Sequence, residues 1–482
     1  MKKAALHNLG CKVNAYETEA MQEMLEQAGY EIVPFKEGAD VYIINTCTVT
    51  NIADRKSRQM LHRARKLNPD AVVVAAGCYV QAQEGKEIDP CIDIVIGNNH
   101  KKDLPELLKQ YEMEKSGHTE YAMEDINRTK EYEELHLTKP GDHTRAYIKV
   151  QDGCNQFCTY CIIPYARGRV RSRQTKDVLE EVRDLAGNGY KEVVLTGIHL
   201  SSYGIDFDGQ RHLLDLIKEV HKVEGIERIR LGSLEPGIIT EEFAKELSEM
   251  PKVCPHFHLS LQSGCDATLK RMNRKYTSGE YYDRCQILRK YFDHPALTTD
   301  VIVGFPGETE EEFTATVEFL KDICFYETHV FKYSRRKGTV ADKLPGQPHA
   351  QAEQPDADQQ SHPPTIPLYP KRQSVSLHHP HPHMGLAHKG SDAAVVLHRR
   401  LRGISLRRTP RMKDRDFVAT EQIQKTFGKG SLYRKGDRPA GKPQQRNQRH
   451  TFHLNYNIPI LRGSRAQSDC PPTYRRFAAL FR

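Results

Sequence analysis

Tryptophan is missing from this chain of 482 residues, and aromatic residues make up only 8% of it. No run of about 18 apolar residues occurs, so a membrane span is not expected. The opening stretch, "MKKAALHNLGCKVN", has too short an apolar segment to read as a signal peptide. Positive charge is unevenly spread. The formal net charge is +8, yet the whole excess of Lys and Arg falls after about residue 340, and the preceding part is mildly acidic. General basicity is therefore no reason to assign nucleic-acid binding to the main body. Twelve cysteines without a secretion signal suggest a reducing compartment, with the cytoplasm as the expected location. They also suggest metal or redox use rather than disulfide staples.

The fold expected is α/β. Residues 1–110 alternate short apolar runs with helical patterns. "AALHNLG", "ADVYIINTC" and "AVVVAAGC" read as strands. "YETEAMQEMLEQAGY" reads as a helix with Met21, Met24, Leu25 and Ala28 on its apolar face, closed by Gly29. "DRKSRQMLHRARKLNP" reads as a basic helix ended by Pro69. Such alternation suits a parallel sheet covered on both faces. Residues 111–142 are polar and weakly periodic and read as a linker. Residues 143–345 hold six strand-like runs, "AYIKV", "EVVLTG", "RIRLGS", "HFHLSL", "TTDVIVGF" and "HVFKY". Most are separated by helices, as in an incomplete (βα)6 barrel of TIM type, with chemistry at the strands' C-terminal ends. Thr309 and Glu312 form a capping-box pattern at the start of one of those helices. Residues 346–482 contain more than half of the 26 prolines and show neither period. They read as a low-order basic tail or as an out-of-frame segment.

Chemistry concentrates in cysteine. Cys154, Cys158 and Cys161 follow the first barrel strand with three and then two residues between them. Three thiolates leave a metal one protein ligand short. A zinc completed by a distant histidine would satisfy the spacing. So would a 4Fe–4S cluster with one open iron, to which a small molecule binds. Cys11, Cys47 and Cys78 form a second group, each at the C-terminal end of a strand in the first domain, where ligands of parallel sheets gather. Cys91, Cys254, Cys265, Cys285, Cys324 and Cys470 lack cluster spacing.

The Cys154–Cys158–Cys161 pattern, with Tyr160 before the last cysteine, resembles the radical S-adenosylmethionine signature. "NLGCKVNAYETE", "NTCTVTNIADRKSR" and "AAGCYVQ" resemble the first domain of the methylthiotransferases of that superfamily. The resemblance covers about residues 1–340. It implies two 4Fe–4S clusters, each held by three cysteines with one open iron. It also implies S-adenosylmethionine bound at the second-domain cluster and cleaved there to a 5′-deoxyadenosyl radical. Lys12-Val13-Asn14 after the first cysteine is similar to the branch acting on N6-threonylcarbamoyladenosine at position 37 of the tRNA anticodon loop. The isopentenyladenosine branch typically has Gln-Met-Asn there, and the ribosomal-protein branch Pro-Lys-Asn. The activity implied is methylthiolation at C2 of that adenosine, with electrons from a donor of flavodoxin or ferredoxin type. Alternatives are another methylthiotransferase substrate, a non-catalytic metal-containing RNA-binding protein, and an inactive frameshifted product.

By the same resemblance Tyr160, Gly197, Ser233, Glu235, Gln262, Arg274, Asp300, Val303 and Gly304 are S-adenosylmethionine contacts. No general acid–base residue is singled out. Two basic runs also suit RNA phosphates: Arg55, Lys56, Arg58, Arg63, Arg65 and Lys66 on one helix, and Arg167, Arg169, Arg171 and Arg173 just after the radical loop. The second run, beside the expected active-site mouth, is the preferred backbone contact. Family members usually end in a small RNA-gripping β-barrel, and no such strand pattern is recognisable after residue 345.

Overall fold

A computed structural model describes residues 1–348, except 84, 86, 115–118, 139–144 and 210–211. The tail from 349 onward lies outside the described residues, as do both readings of it.

The first sheet has six parallel strands: β1 (Lys3–Asn8), β2 (Glu31–Ile32), β3 (Val41–Thr46), β4 (Val72–Gly77), β5 (Ile94–Ile96) and β6 (Glu120–Ala122). Their spatial order is β2-β1-β3-β4-β5-β6. Alternation decides the packing, because successive side chains point to opposite faces. Ala5, Tyr42, Ile44, Val73, Ala75 and Val95 face helix α2 (Asn51–Leu67), through Leu61 and Ala64. Ala4, Val41, Ile43, Val74, Ala76 and Ile94 face α1 (Lys12–Gln27) and α4 (Leu104–Glu114). The sheet is therefore covered on both faces. α2 begins earlier than the sequence pattern suggests, because the Thr50 hydroxyl accepts the Ala53 N–H at 3.1 Å. It stops before Pro69 as expected, since proline cannot continue the ladder. A four-residue helix, α3 (Cys78–Gln81), follows β4 directly.

The stretch read as a linker does more than connect. It supplies β6, then lays Leu135 and Leu137, both buried, against Tyr16 of α1.

All six strand-like runs of the second region form strands: β7 (Ala146–Asp152), β9 (Glu192–Gly197), β10 (Arg228–Leu231) continued past Gly232 by β11 (Ser233–Leu234), β12 (His256–Leu259), β13 (Ala296–Val303) and β14 (Glu327–Lys332). A short β8 (Arg171–Ser172) runs antiparallel on the β7 edge. The parallel order is β7-β9-β10/β11-β12-β13-β14, with an Ile229–Val253 bridge joining β10 to the segment before β12. β7 and β14 do not pair, so the barrel is open on one side. Between the strands run α5 (Ile163–Arg167), α6 (Thr175–Gly187), α7 (Leu213–His221), α8 (Glu241–Ser248), α9 (Asp266–Arg271), α10 (Ser278–Tyr291) and α11 (Glu310–Ile323). α11 carries the expected Thr309–Glu312 capping box.

The first domain spans the barrel's open side. α1 lies against β7, and Lys149 of β7 donates to Glu17 of α1 at 2.9 Å. Beyond β14, Arg336 reaches Asn51 Oδ1 at 2.7 Å, Thr48 Oγ1 at 2.8 Å and Asp54 at 2.8 Å, at the start of α2. Among the described residues no helix is long and apolar enough to cross a membrane.

Candidate active site

The strand order of the first sheet reverses between β1 and β3, and ligands of such sheets bind outside the strand ends at that crevice. Cys11 follows β1, Cys47 follows β3 and Cys78 follows β4. Glycine makes the approach possible. Gly10 has φ +111°, and a Cβ there would lie 3.0 Å from Cys47 Cβ and 3.1 Å from Cys47 Sγ. The three thiols are close enough that charge on Cys78 or Cys11 would raise Cys47. Burial is the larger cause, and together they push Cys47 up to about 12. Bare thiols in such surroundings hold their protons at neutral pH, so loading a metal must expel them. Cys11 sits at the N-cap of α1, yet burial raises its thiol too, outweighing the nearby Arg167 and the Asn14 amide.

Arg167 supplies the compensating cation. Its Nε–H donates to Cys78 Sγ at 3.2 Å, Nη1 donates to Glu17 at 2.6 Å and to Asp152 at 3.1 Å, and Nη2 donates to Asn14 Oδ1 at 2.9 Å. Lys149 and Lys101 complete the network around Glu17, at 2.9 and 3.4 Å. Burial alone would raise the Glu17 carboxyl, but Arg167, Lys101 and Lys149 outweigh it and hold it well below the usual range. The arginine run therefore needs correcting. Arg167, Arg171 and Arg173 are 0%, 1% and 2% exposed, so they are not RNA-backbone contacts. Arg171 donates to the Arg167 and Arg169 carbonyls, and Arg173 pairs with buried Glu181. Only Arg169 of that run is exposed, lying over the Phe157 ring at 4.5 Å. On α2, Arg55, Lys56, Arg58, Arg63 and Lys66 are exposed, whereas Arg65 turns inward to Asp93 at 2.5 Å.

The second triad sits in the loop after β7. Gly153 has φ +69°, and a Cβ there would fall 1.8 Å from the Arg169 carbonyl oxygen. Only glycine fits where the radical loop leaves the strand. Burial, chiefly, pushes Cys154 up to about 11 and Cys161 up to about 12. Here too an arginine answers. Arg274 Nη1 donates to Cys158 Sγ at 3.3 Å, and Nη2 donates to Glu235 at 2.9 Å and to the Ser260 carbonyl at 3.2 Å. The Gln156 amide donates to Cys154 Sγ at 3.4 Å. Sulfur accepting from cationic and amide N–H groups is the environment that an iron–sulfur cluster uses.

The donor geometry also speaks against a single zinc. Zinc about 2.3 Å from each thiolate would draw the sulfurs to roughly 3.8 Å of one another. Among the described residues, the one group of three metal-capable side chains with ligand atoms within 4.8 Å of one another is His62, Asp89 and Cys91. There Asp89 already accepts from His62 at 2.7 Å and from the Cys91 amide at 3.1 Å. Neither cysteine triad has zinc spacing.

Most of the other residues singled out in the sequence fall at the C-terminal ends of barrel strands. Gly197 ends β9, Ser233 begins β11, Gln262 follows β12 with φ +69°, Val303 ends β13 and Gly304 follows it. Glu235 links Arg274 to His199, at 2.9 and 3.6 Å. Tyr160 packs edge-on to Phe305, and Cys158 and Cys161 both bear on its phenol. Asp300 departs from the rest. It lies inside β13, 3.3 Å from His258 Nε2, in a cavity of about 480 Å³ within the barrel. Lys12, Arg145, Arg230 and Ser233 also line that cavity. Sequence reasoning missed Lys12 and His258 as cavity residues, and read Arg167 outward. A signal existed for the buried network: Lys149, Gln151 and Asp152 interrupt the apolar pattern of a strand immediately before the cysteine motif.

Comparison with known proteins places this geometry. Residues 148–320 match the Radical SAM superfamily, and residues 3–97 match the Uncharacterized protein family UPF0004. The chain is 45% identical over 348 residues to the threonylcarbamoyladenosine tRNA methylthiotransferase MtaB of Bacillus subtilis, covering 72% of this chain and 77% of that protein. The protein of the same name from Aquifex aeolicus is 44% identical, covering 71% and 83%. A tRNA-2-methylthio-N(6)-dimethylallyladenosine synthase of Thermoanaerobacter sp. is 37% identical, covering 71% and 73%. The cobalamin-bound radical S-adenosylmethionine methyltransferase TsrM of Kitasatospora setae shares the fold, with a TM-score of 0.51 at 17% identity over 71% of this chain and 74% of that one. The chain belongs to the family of radical S-adenosylmethionine tRNA methylthiotransferases, whose members carry a 4Fe–4S cluster and S-adenosylmethionine.

Proposed function

We propose that this enzyme methylthiolates C2 of N6-threonylcarbamoyladenosine at position 37 of tRNA, using two 4Fe–4S clusters. The observation that carries the reading is the doubled arrangement of three cysteines with an arginine N–H on one sulfur, Arg167 on Cys78 and Arg274 on Cys158. Cys154, Cys158 and Cys161 would hold the radical cluster, and Cys11, Cys47 and Cys78 the second. When bound, the clusters and S-adenosylmethionine supply one-electron chemistry, a hydrogen-abstracting radical, sulfur and a methyl group.

The chain's own residues bind, orient and exclude water. Tyr160, Gly197, Ser233, Glu235, Gln262, Arg274, Val303 and Gly304 would line the S-adenosylmethionine site, with Asp300 deeper in the barrel. The first domain covers the barrel's open side, which keeps water from a reactive centre. Exposed Arg55, Lys56, Arg58, Arg63 and Lys66 of α2 offer phosphate contacts that position RNA without reading its sequence. The target base, in a loop, can be splayed outward to enter. A flavodoxin- or ferredoxin-type protein in the cytoplasm would supply electrons.

Two measurements test the reading. Anaerobically prepared protein should carry about eight irons per chain, and Cys47→Ser about four. Nucleoside mass spectrometry of tRNA from cells with and without the gene should show loss of the 2-methylthio form of threonylcarbamoyladenosine. Loss of the isopentenyl form instead would assign the other substrate branch, and an iron content of four in the unmodified protein would remove the second cluster.

A further inference from the structure

The barrel cavity has an unusual charge arrangement. Three cations line it: Lys12 at the start of α1, Arg145 just before β7 and Arg230 in β10. Two carboxylates, Asp300 and Glu327, also reach it. Asp300 is taken up by His258 at 3.3 Å, and Glu327 lies 4.0 Å from His329. Arg230 and Arg145 share Glu192 outside the cavity wall, at 3.0 and 3.8 Å. Lys12 makes no hydrogen bond and no ion pair with any described residue. Its ammonium meets Asp300 only through space, and with three cations against two carboxylates the lining is net positive, which favours an anionic ligand.

The cavity is tied to both cysteine triads through the chain. Lys12 follows Cys11 directly. Ser233, also in the lining, stands two residues from Glu235, which pairs with Arg274, the donor to Cys158. On this reading a substrate base at the triads extends its substituent into the barrel towards this cavity. Most of its lining residues are charged or polar, so a purely hydrocarbon substituent on the base would strand these groups unpaired. A threonylcarbamoyl substituent brings a carboxylate, a hydroxyl and amide groups.

We propose that Lys12, assisted by Arg145 and Arg230, binds the carboxylate of the substrate's threonyl substituent and selects for it. This rests on the reading of the enzyme as a threonylcarbamoyladenosine methylthiotransferase. Lys12 is the specificity-determining residue, and the two arginines orient the anion and add charge.

The experiment uses the full chain with its clusters reconstituted anaerobically, and three anticodon stem–loop RNAs. They differ only at adenosine 37, which carries threonylcarbamoyl, its methyl ester or isopentenyl. The ester keeps every phosphate and every other hydrogen-bonding group. Losing one charge-assisted contact should weaken ester binding about 10- to 100-fold relative to the acid. Lys12→Gln should bring that preference within about threefold, Lys12→Arg should restore most of it, and S-adenosylmethionine affinity should be unchanged in both. Equal binding of acid and ester by the unmodified chain overturns the proposal without needing any variant. A preference that survives in both Lys12→Gln and Arg230→Gln also overturns it while leaving the proposed function standing. Loss of S-adenosylmethionine affinity in Lys12→Gln would show that the cation serves the cofactor's carboxylate instead, and would overturn it too. Tightest binding of the isopentenyl RNA would overturn the proposed function itself.

Discussion

Replacing Arg167 with methionine tests the junction between the two domains most directly. The side chain is 0% exposed and donates to Glu17, Asp152, Asn14 and the Cys78 sulfur. Methionine fills much of the same volume but leaves those acceptors unmet. Breaking a buried ion pair by removing one partner costs about 3–5 kcal/mol. The lower end applies here, because Glu17 retains Lys149 at 2.9 Å and Lys101 at 3.4 Å, and Asp152 retains Lys149 at 2.6 Å. A loss of about 3 kcal/mol is a large part of a typical stability of about 5–15 kcal/mol. Urea unfolding of the metal-free protein, followed by circular dichroism, reads it. Glu17→Gln alone should also destabilise, and the double variant should lose less than the sum of the two. The coupling energy expected is about 1.5 kcal/mol or more for groups in direct contact. Additive losses, or a single-variant loss below about 1 kcal/mol, would show that desolvating the arginine cancels what its bonds contribute, and the network would not be what fastens the domains.

Three further outcomes follow from the geometry. Gly153→Ala should prevent the radical loop from closing on β7, because the new Cβ would meet the Arg169 carbonyl oxygen at 1.8 Å with φ at +69°. Iron at Cys154, Cys158 and Cys161 should fall while iron at the proposed first-domain cluster is retained, and unchanged iron would refute the argument. Arg274→Lys keeps the charge but cannot serve Cys158, Glu235 and Ser260 together. Weakening one charge-assisted bond to the sulfur by about 1.4 kcal/mol should lower that cluster's reduction potential by roughly 60 mV in a spectroscopically monitored titration, and no shift would show that the contact does not tune it. His256 should stay neutral between pH 5 and 8, since burial, then Arg230 and Lys12, push its imidazole down to about 4. The unfolded chain takes up that proton first, so stability should fall as pH drops from about 6.5 towards 4, and an NMR midpoint near 6.5 would contradict the placement.

How far the sequence could be read depended on which signals were local. The six barrel strands and the Thr309 capping box declare themselves within a few residues, and so do the cysteine spacings. β5 and β6 have three residues each, too few for a period to register, and β6 exists only because β5 offers it an edge. The arginine run failed for a different reason. A guanidinium beside a strand reads the same whether its partner is solvent, phosphate or a carboxylate from another domain, and the partners of Arg167 lie 150 residues away in Glu17 and 153 away in Asn14. Lys12 was visible as a residue that separates branches, but nothing local indicated that it faces the barrel's interior.

The two arginines point to a common constraint on this architecture. A cubane of the kind proposed for each triad would add negative charge to a site from which water must be kept out, and both triads hold cysteines whose thiols burial already raises. Each therefore needs a fixed cation that does not titrate, and arginine meets that need better than lysine, whose proton affinity falls on burial. Each arginine is in turn anchored by a carboxylate from elsewhere in the fold, Glu17 for Arg167 and Glu235 for Arg274. Glu17 belongs to the first domain, while Arg167 belongs to the second and donates to a cysteine of the first. The charge environment of the first-domain triad is thus completed only when the domains are docked, so that domain assembly and loading of that triad should be mutually dependent, and variants that loosen the junction should lose the first-domain iron before the second.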